Sequence, residues 1–200
     1  MARAPVAGRV KTRLAAEAGL ALAVRFARHS LVALMQRVGC DARWSTLLAV
    51  TPDSALRSRG WPRGVELIPQ GGGDLGRRMQ RLMDNAPPGP VVIVGTDIPA
   101  IGRGHIAFAF RALGDHDAVL GPATDGGYWL IGLRRRPRVP RAFAGVRWSS
   151  AHALDDTLAN LRGRRIARLP TLGDVDTAAD LDRSAGRWQR RVRHPISKSL

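Results

Sequence analysis

Apolar residues recur at Leu20, Val24, Ala27, Leu31, Leu34, Met35 and Val38. That spacing is close to the 3.6-residue period of a helix buried along one face, and it predicts a helix over residues 15–38 that stops at Gly39. Two short runs follow, at 45–51 and 65–69. The first is rich in leucine and β-branched residues and ends at Pro52-Asp53, and both read as strands. Asp74 can cap a helix running to residue 85, where Pro87-Pro88-Gly89 terminates it. Residues 90–95 (PVVIVG) are apolar on both faces and too short for a helix, the pattern of a central strand in a parallel sheet. The remaining pattern gives a helix at 103–113, strands at 118–120 and 128–133, and a helix capped by Ser149 or Ser150 that ends at 161. A strand at 166–169 and a last helix at 177–188 complete it. Strands alternating with helices predict a doubly wound α/β layer structure. One feature breaks the alternation. The first strong element is a helix, and the loop at 4–13 that should follow a strand has no strand ahead of it.

The 200 residues fit one domain, taken as residues 1–182 with a basic tail at 183–200. Charge is the unusual property: 32 basic residues against 16 acidic give +16. The excess is arginine, since Lys11 and Lys198 are the lysines and Glu17 and Glu66 the glutamates. This excludes an acidic disordered chain and brings nucleic acid, phosphate and anionic lipid into consideration. Cys40 is the sole cysteine, which excludes a disulfide scaffold; it is expected to be a buried, inert thiol. The apolar runs at 47–50 and 91–94 are too short to span a bilayer, and the basic start has no apolar segment before Leu14. The expectation is a cytoplasmic protein. The five histidines have no metal-ligand spacing and are expected to be packing or surface groups.

Four segments carry chemistry. Arg9, Lys11 and Arg13 surround Gly8 just before a helix. Clustered cations at the positive end of a helix dipole suit a di- or triphosphate, although an exposed basic tail would read the same way. Asp97 stands at the end of a buried strand, where open α/β sheets hold their ligands, and suits a hard cation bridging to phosphate. In GPATDGGYWLIG, the pair Gly126-Gly127 after Asp125 permits close passage of a ligand. A hairpin turn explains Asp-Gly equally well. In LGDVDTAADL, Asp174 and Asp176 share one face of an extended segment and repel unless a positive group lies between them. Asp176 or Thr177 could also cap the next helix. The glycine-rich stretch 70–76 either lines a flat base or simply connects two elements.

Taken in order, these segments resemble one family. They are residues 3–14 (RAPVAGRVKTRL), 73–79 (GDLGRRM), 95–99 (GTDIP), 121–132 (GPATDGGYWLIG) and 174–177 (DVDT) with Asp180-Leu181. The set resembles the radical-SAM/selenodomain-associated transferases, glycosyltransferase-A-like members of the nucleotide-diphospho-sugar transferase superfamily. Its layout is similar to 2-phospholactate guanylyltransferase and molybdenum-cofactor nucleotidylyltransferase. The resemblance implies a three-layer α/β/α, Rossmann-like fold with a mostly parallel sheet. It also implies Mg²⁺-dependent use of a nucleoside triphosphate or nucleotide sugar, with Mn²⁺ as a substitute metal. By position, Gly8, Arg9, Lys11 and Arg13 match the phosphate loop. Asp97, Asp174 and Asp176 match metal-binding aspartates, and Asp125, Gly126 and Gly127 match an acceptor-facing loop. Gln70, Gly73, Leu75 and Gly76 would face the nucleobase. Two departures stand out: Ala7 replaces a proline common in the family, and the family's leading apolar strand is missing ahead of the loop.

The leading expectation is nucleotidyl transfer to a small phosphorylated acceptor, with metal on Asp97, Asp174 and Asp176. Lys11, Arg13 and Asp97 act as catalytic groups, Lys11 and Arg13 holding the leaving pyrophosphate. The alternative is glycosyl transfer from a nucleotide sugar. A basic nucleic-acid-binding protein is a distant third, because no nucleic-acid module is present. Residues 183–200 hold six basic residues and no acid, and another run occupies 134–141.

Overall fold

Residues 1–184 are described by the computed structural model. Its elements in chain order are β1 (Ala2–Arg3), α1 (Thr12–Ala18), α2 (Leu20–Leu34), β2 (Leu47–Thr51), β3 (Glu66–Pro69), α3 (Leu75–Asn85), β4 (Val91–Val94), α4 (Arg103–Asp115), β5 (Ala118–Pro122), β6 (Tyr128–Leu133), α5 (Ala153–Asn160) and β7 (Ile166–Arg168). Residues 178–184 are also helical. The rest of the helix expected at 177–188, and residues 185–200 of the basic tail, lie outside the described residues.

The strand expected to be missing exists as two residues. Ala2 and Arg3 pair in parallel with Val50 and Thr51 of β2, which pairs in parallel with β3. The Met1 ammonium donates to the Val94 carbonyl at 2.9 Å, so β1 links the three-stranded sheet to β4. Beyond it the order is β4-β6-β5-β7. β6 runs antiparallel to both neighbours and β5–β7 is parallel. The expected parallel ladder at PVVIVG is therefore corrected: the β5–β6 hairpin inserts an antiparallel strand beside β4.

Helices cover both faces of the four-stranded sheet. Val92 and Val94 of β4 pack toward α4 with Ile106, Ala109 and Leu113. The alternate residues Val91 and Ile93 pack on the opposite side with Met79 and Met83 of α3. These are the three layers the family resemblance implied.

Several local expectations change for identifiable reasons. The helix predicted at 15–38 is two helices, because Gly19 takes φ +90°, a conformation that breaks the helical path and favours a residue without Cβ. α2 then passes into a π turn at Met35–Gly39, and Cys40, expected to be buried, is exposed beyond it. Ser150 is not the cap of α5. Its hydroxyl donates to Arg147 O and accepts from His152 N, shaping the turn before the helix. Arg135, in the basic run at 134–141, donates to the carbonyls of Ala86, Pro87 and Gly89 and fastens the loop after α3.

Gln70 shows how the sheet is fixed. It is buried, and its Nε2 donates to Ala2 O at 3.0 Å and Ala49 O at 2.9 Å, tying β1 and β2 together. Gln70→Leu removes both of these hydrogen bonds from the sheet and should lower stability by about 1–3 kcal/mol in urea denaturation. Nucleotide affinity should be unchanged in that variant, whereas a base-contacting Gln70 would lose affinity with little change in stability.

Candidate active site

The C-terminal ends of β1, β4 and β5 open onto one cavity of about 670 Å³, within the size range of small-molecule sites. Asp97 enters from the turn after β4. Gly95 makes room for it, since a Cβ there would lie 3.1 Å from Asp97 Oδ1. Asp174 and Asp176 enter from the segment following β7. Val175, 2 % exposed, is packed with Leu14, Ala23 and Phe26 beneath α1 and α2. In extended backbone that anchoring turns its two neighbours the other way, toward the cavity they both line. Val175 N also donates to Asp97 O at 3.3 Å, holding the two acidic segments together. One oxygen from each of the three carboxylates lies within 4.8 Å of the other two.

Lys11 completes this cluster. Its Nζ is 2.8 Å from Asp97 Oδ2 and 2.7 Å from Asp176 Oδ1. The residue sits at the start of α1 in the left-handed conformation, φ 46°. Its carbonyl accepts from Ala15 N while its side chain turns into the site. Burial works against the ammonium, but Asp97 and Asp176 outweigh it, and its pKa lies above the ordinary lysine value. Arg13 is mostly exposed, with Nη1 at 4.0 Å from Asp176 Oδ2. Among the described residues, Asp174 forms no ion pair with a cation. Burial first, then the charges of Asp176 and Asp125, raise its pKa to about 6. Thr177 and Asp180 form a reciprocal cap: Asp180 Oδ2 accepts from the Thr177 amide and hydroxyl, and Thr177 Oγ1 accepts from Asp180 N. Capping is thereby supplied by Thr177, and Asp176 is left to the site.

Of the residues singled out in the sequence, Arg9, Lys11, Arg13, Leu75, Asp97, Asp125, Gly127, Asp174 and Asp176 line this cavity. Gly8, Gln70, Gly73, Gly76 and Gly126 do not. Gly8 shapes the preceding turn at φ +74°, and Gly73 lies in the loop before α3. That loop is fastened by Arg81, which donates to the carbonyls of Gln70 and Gly72. Gly76 is a packing position, where a Cβ would meet Trp148 at 2.9 Å and Phe143 O at 2.8 Å. Gly126 lies against Ala151 O, where a Cβ would come within 2.4 Å. Asp125-Gly126 is indeed the hairpin turn between β5 and β6, with Asp125 Oδ1 accepting from Gly127 N at 2.9 Å. The turn nonetheless borders the cavity. Sequence reasoning missed Tyr128, Trp148, Ser149 and Ser150, which also line it. Tyr128 lies inside a flagged motif, next to Gly127, whereas residues 148–150 lie in a loop with no local signal.

The chain is similar to known proteins in both sequence and fold. The model of the family described as "Uncharacterized protein conserved in bacteria (DUF2064)" matches residues 34–150. A phosphoenolpyruvate guanylyltransferase of Chloroflexus aggregans is 27% identical over 175 residues, covering 86% of this chain and 83% of its own. A crystal structure from Desulfovibrio desulfuricans, assigned as a nucleotide-diphospho-sugar transferase, aligns with TM-score 0.77 and 31% identity, over 98% of this chain and 86% of that one. The molybdopterin-guanine dinucleotide biosynthesis protein A of Archaeoglobus fulgidus shares the fold at TM-score 0.55 and 12% identity, over 94% and 97%. Among the described residues, no helix is long and apolar enough to cross a membrane.

The raised pKa of Asp174 gives a signed expectation. Its carboxylate form is disfavoured by folding, so the group costs stability above pH 6. That cost disappears as the pH falls from about 6 toward the unfolded value of 3.8. Asp174→Asn should melt at a higher temperature than the parent at pH 7.5 in EDTA, and the difference should close by pH 4. A pH-independent difference in thermal melts would contradict this origin.

Proposed function

The chain belongs to the DUF2064 family, and from that premise we propose that it is a transferase moving a nucleotidyl group from a nucleoside triphosphate to a small phosphorylated acceptor. The observation supporting this most directly is the convergence, in one cavity, of the Arg9–Lys11–Arg13 loop with the Asp97–Asp174–Asp176 cluster. The guanylyltransferase relative carries out a transfer of this kind by its name.

The donor set fits a divalent cation. Three carboxylates with oxygens within 4.8 Å are a hard, anionic cluster, and an ammonium already bridges two of them. Asp97, Asp174 and Asp176 would hold Mg²⁺ or Mn²⁺, which supplies charge neutralisation at the α-phosphate when bound. The chain's own groups do the rest. Arg9 and Arg13, exposed at the cavity mouth, bind the β- and γ-phosphates and keep the departing pyrophosphate in place. Lys11 can pass from the carboxylates to a phosphate oxygen within the same cavity, placing positive charge where it develops. The acceptor phosphate oxygen bonds to the α-phosphorus as the bond to the bridging oxygen breaks, and pyrophosphate leaves with that electron pair. Catalysis here consists of positioning and electrostatics.

Glycosyl transfer from a nucleotide sugar is the second reading, favoured by the assignment of the Desulfovibrio relative. Products separate the two: pyrophosphate marks nucleotidyl transfer and a nucleoside diphosphate marks glycosyl transfer. We expect pyrophosphate release that depends on Mg²⁺ and is abolished in Asp97→Asn, with thermal stability retained. Full turnover in that variant, or a nucleoside diphosphate product, would overturn the proposal.

A further inference from the structure

The end of the sheet remote from the cavity carries its own concentration of charge. There β6, β5 and β7 lie side by side, with Ala118 opposite Leu133 on one flank and Ile166 on the other. Arg134 and Arg165, one residue beyond these positions, flank Asp117 with their backbones about 10 Å apart, two strand spacings. Arg134 N donates to Asp117 O at 3.0 Å and Asp117 N to Arg165 O at 2.8 Å. Arg165 N in turn donates to Asp117 Oδ2 at 3.0 Å. The turn ahead of β7 adds Arg162 and Arg164, and the loop after β6 adds Arg136 and Arg138. None of these six residues lines the carboxylate cavity.

The backbone beneath them is fixed. Leu161 is fully buried and anchors the turn, where Arg164 N donates to Leu161 O at 3.1 Å. Arg135, between Arg134 and Arg136, clamps the carbonyls of Ala86, Pro87 and Gly89. The six side chains have no such partners. Among the described residues, none of them forms an ion pair or donates its guanidinium to a protein oxygen. Five are exposed and Arg134 is half-buried.

Like charges held on an ordered backbone sustain a positive potential at this end of the molecule. Each guanidinium presents a planar fork that matches a phosphate with two parallel hydrogen bonds. A small anion would meet one or two of the forks, whereas a polymer of regularly spaced phosphates meets the row. Segments 134–138 and 161–165 expose no large apolar side chain, so nothing beside the cations enters a lipid headgroup layer. They also contain no aromatic residue on which an unpaired base could stack.

We propose that this arginine face docks the sugar–phosphate backbone of duplex nucleic acid, without reading its sequence. The surface is separate from the nucleotidyl-transfer site and does not depend on that reading, because the cavity opens at the opposite end of the strands.

The test is a fluorescence-anisotropy titration of a short labelled DNA duplex with the full chain, repeated over a potassium chloride series. Six phosphate contacts predict an affinity that falls roughly 10³-fold between 50 and 200 mM salt. Joint replacement Arg162→Ser, Arg164→Ser and Arg165→Ser should flatten the slope of log affinity against log salt by about 2.7. The second triple, Arg134→Ser, Arg136→Ser and Arg138→Ser, should do the same and keeps the test open if the first variant fails to fold. Arg57→Ser, Arg59→Ser and Arg63→Ser, exposed on another loop, lower the net charge equally and should leave the slope at the parent value. Thermal melts check that each variant is folded. Equal flattening in the control triple would overturn the proposal, since net charge alone would then explain binding. An unchanged slope in the arginine-face variants would overturn it as well. So would a duplex left unbound at 50 mM salt while phosphatidylglycerol vesicles bind the parent and not those variants.

Discussion

The ammonium of Lys11 between Asp97 and Asp176 is the contact on which the site depends. Three carboxylates drawn from two distant segments repel one another, and burial sharpens that repulsion. They converge because the backbone leaves them little choice. Val175 is locked under α1 and α2, its amide reaches Asp97 O, and the end of β4 is set by its pairing with β6. The resulting negative charge is offset by one lysine, positioned by a left-handed residue at the start of α1. Asp174, which the lysine does not reach, shows what the cluster is like without it: its pKa is pushed up to about 6.

The arginine excess looks different once its contacts are known. With 16 acids for 32 bases, carboxylate partners are scarce, and several guanidinium groups bind main-chain carbonyls instead. Arg81 fastens the glycine-rich loop, Arg135 the turn after α3, and Arg37 the carbonyl of Ile101. Part of what suggested a polyanion partner thus holds loops in place. Among the described residues, Arg3, Arg9 and Arg13 are the exposed cations that border the carboxylate cavity.

The parts of the fold visible in the sequence are those governed by short-range periodicity. Alternation in DVD put Asp174 and Asp176 on one face, and the apolar run before Asp97 placed it at a strand end; both follow from backbone geometry alone. The order β4-β6-β5-β7 was not visible, because an Asp-Gly turn can close a hairpin without revealing which strand it will pair beside. Gln70 was misread for a related reason. Next to three glycines it looks like a ligand contact, yet its depth is decided by parallel pairing of β1 and β2, far away in sequence. Trp148 had no signal at all, since its place depends on the absence of a Cβ at Gly76, more than seventy residues earlier.

If the carboxylates form a cation site, Lys11 and a divalent ion draw on the same oxygens. The most direct measurement is Mn²⁺ binding, followed by electron paramagnetic resonance, in the parent protein and in Lys11→Met without nucleotide. Removing the ammonium should tighten Mn²⁺ binding, and Asp97→Asn should abolish it. Equal or weaker Mn²⁺ binding in Lys11→Met would contradict a shared cation site at Asp97, Asp174 and Asp176.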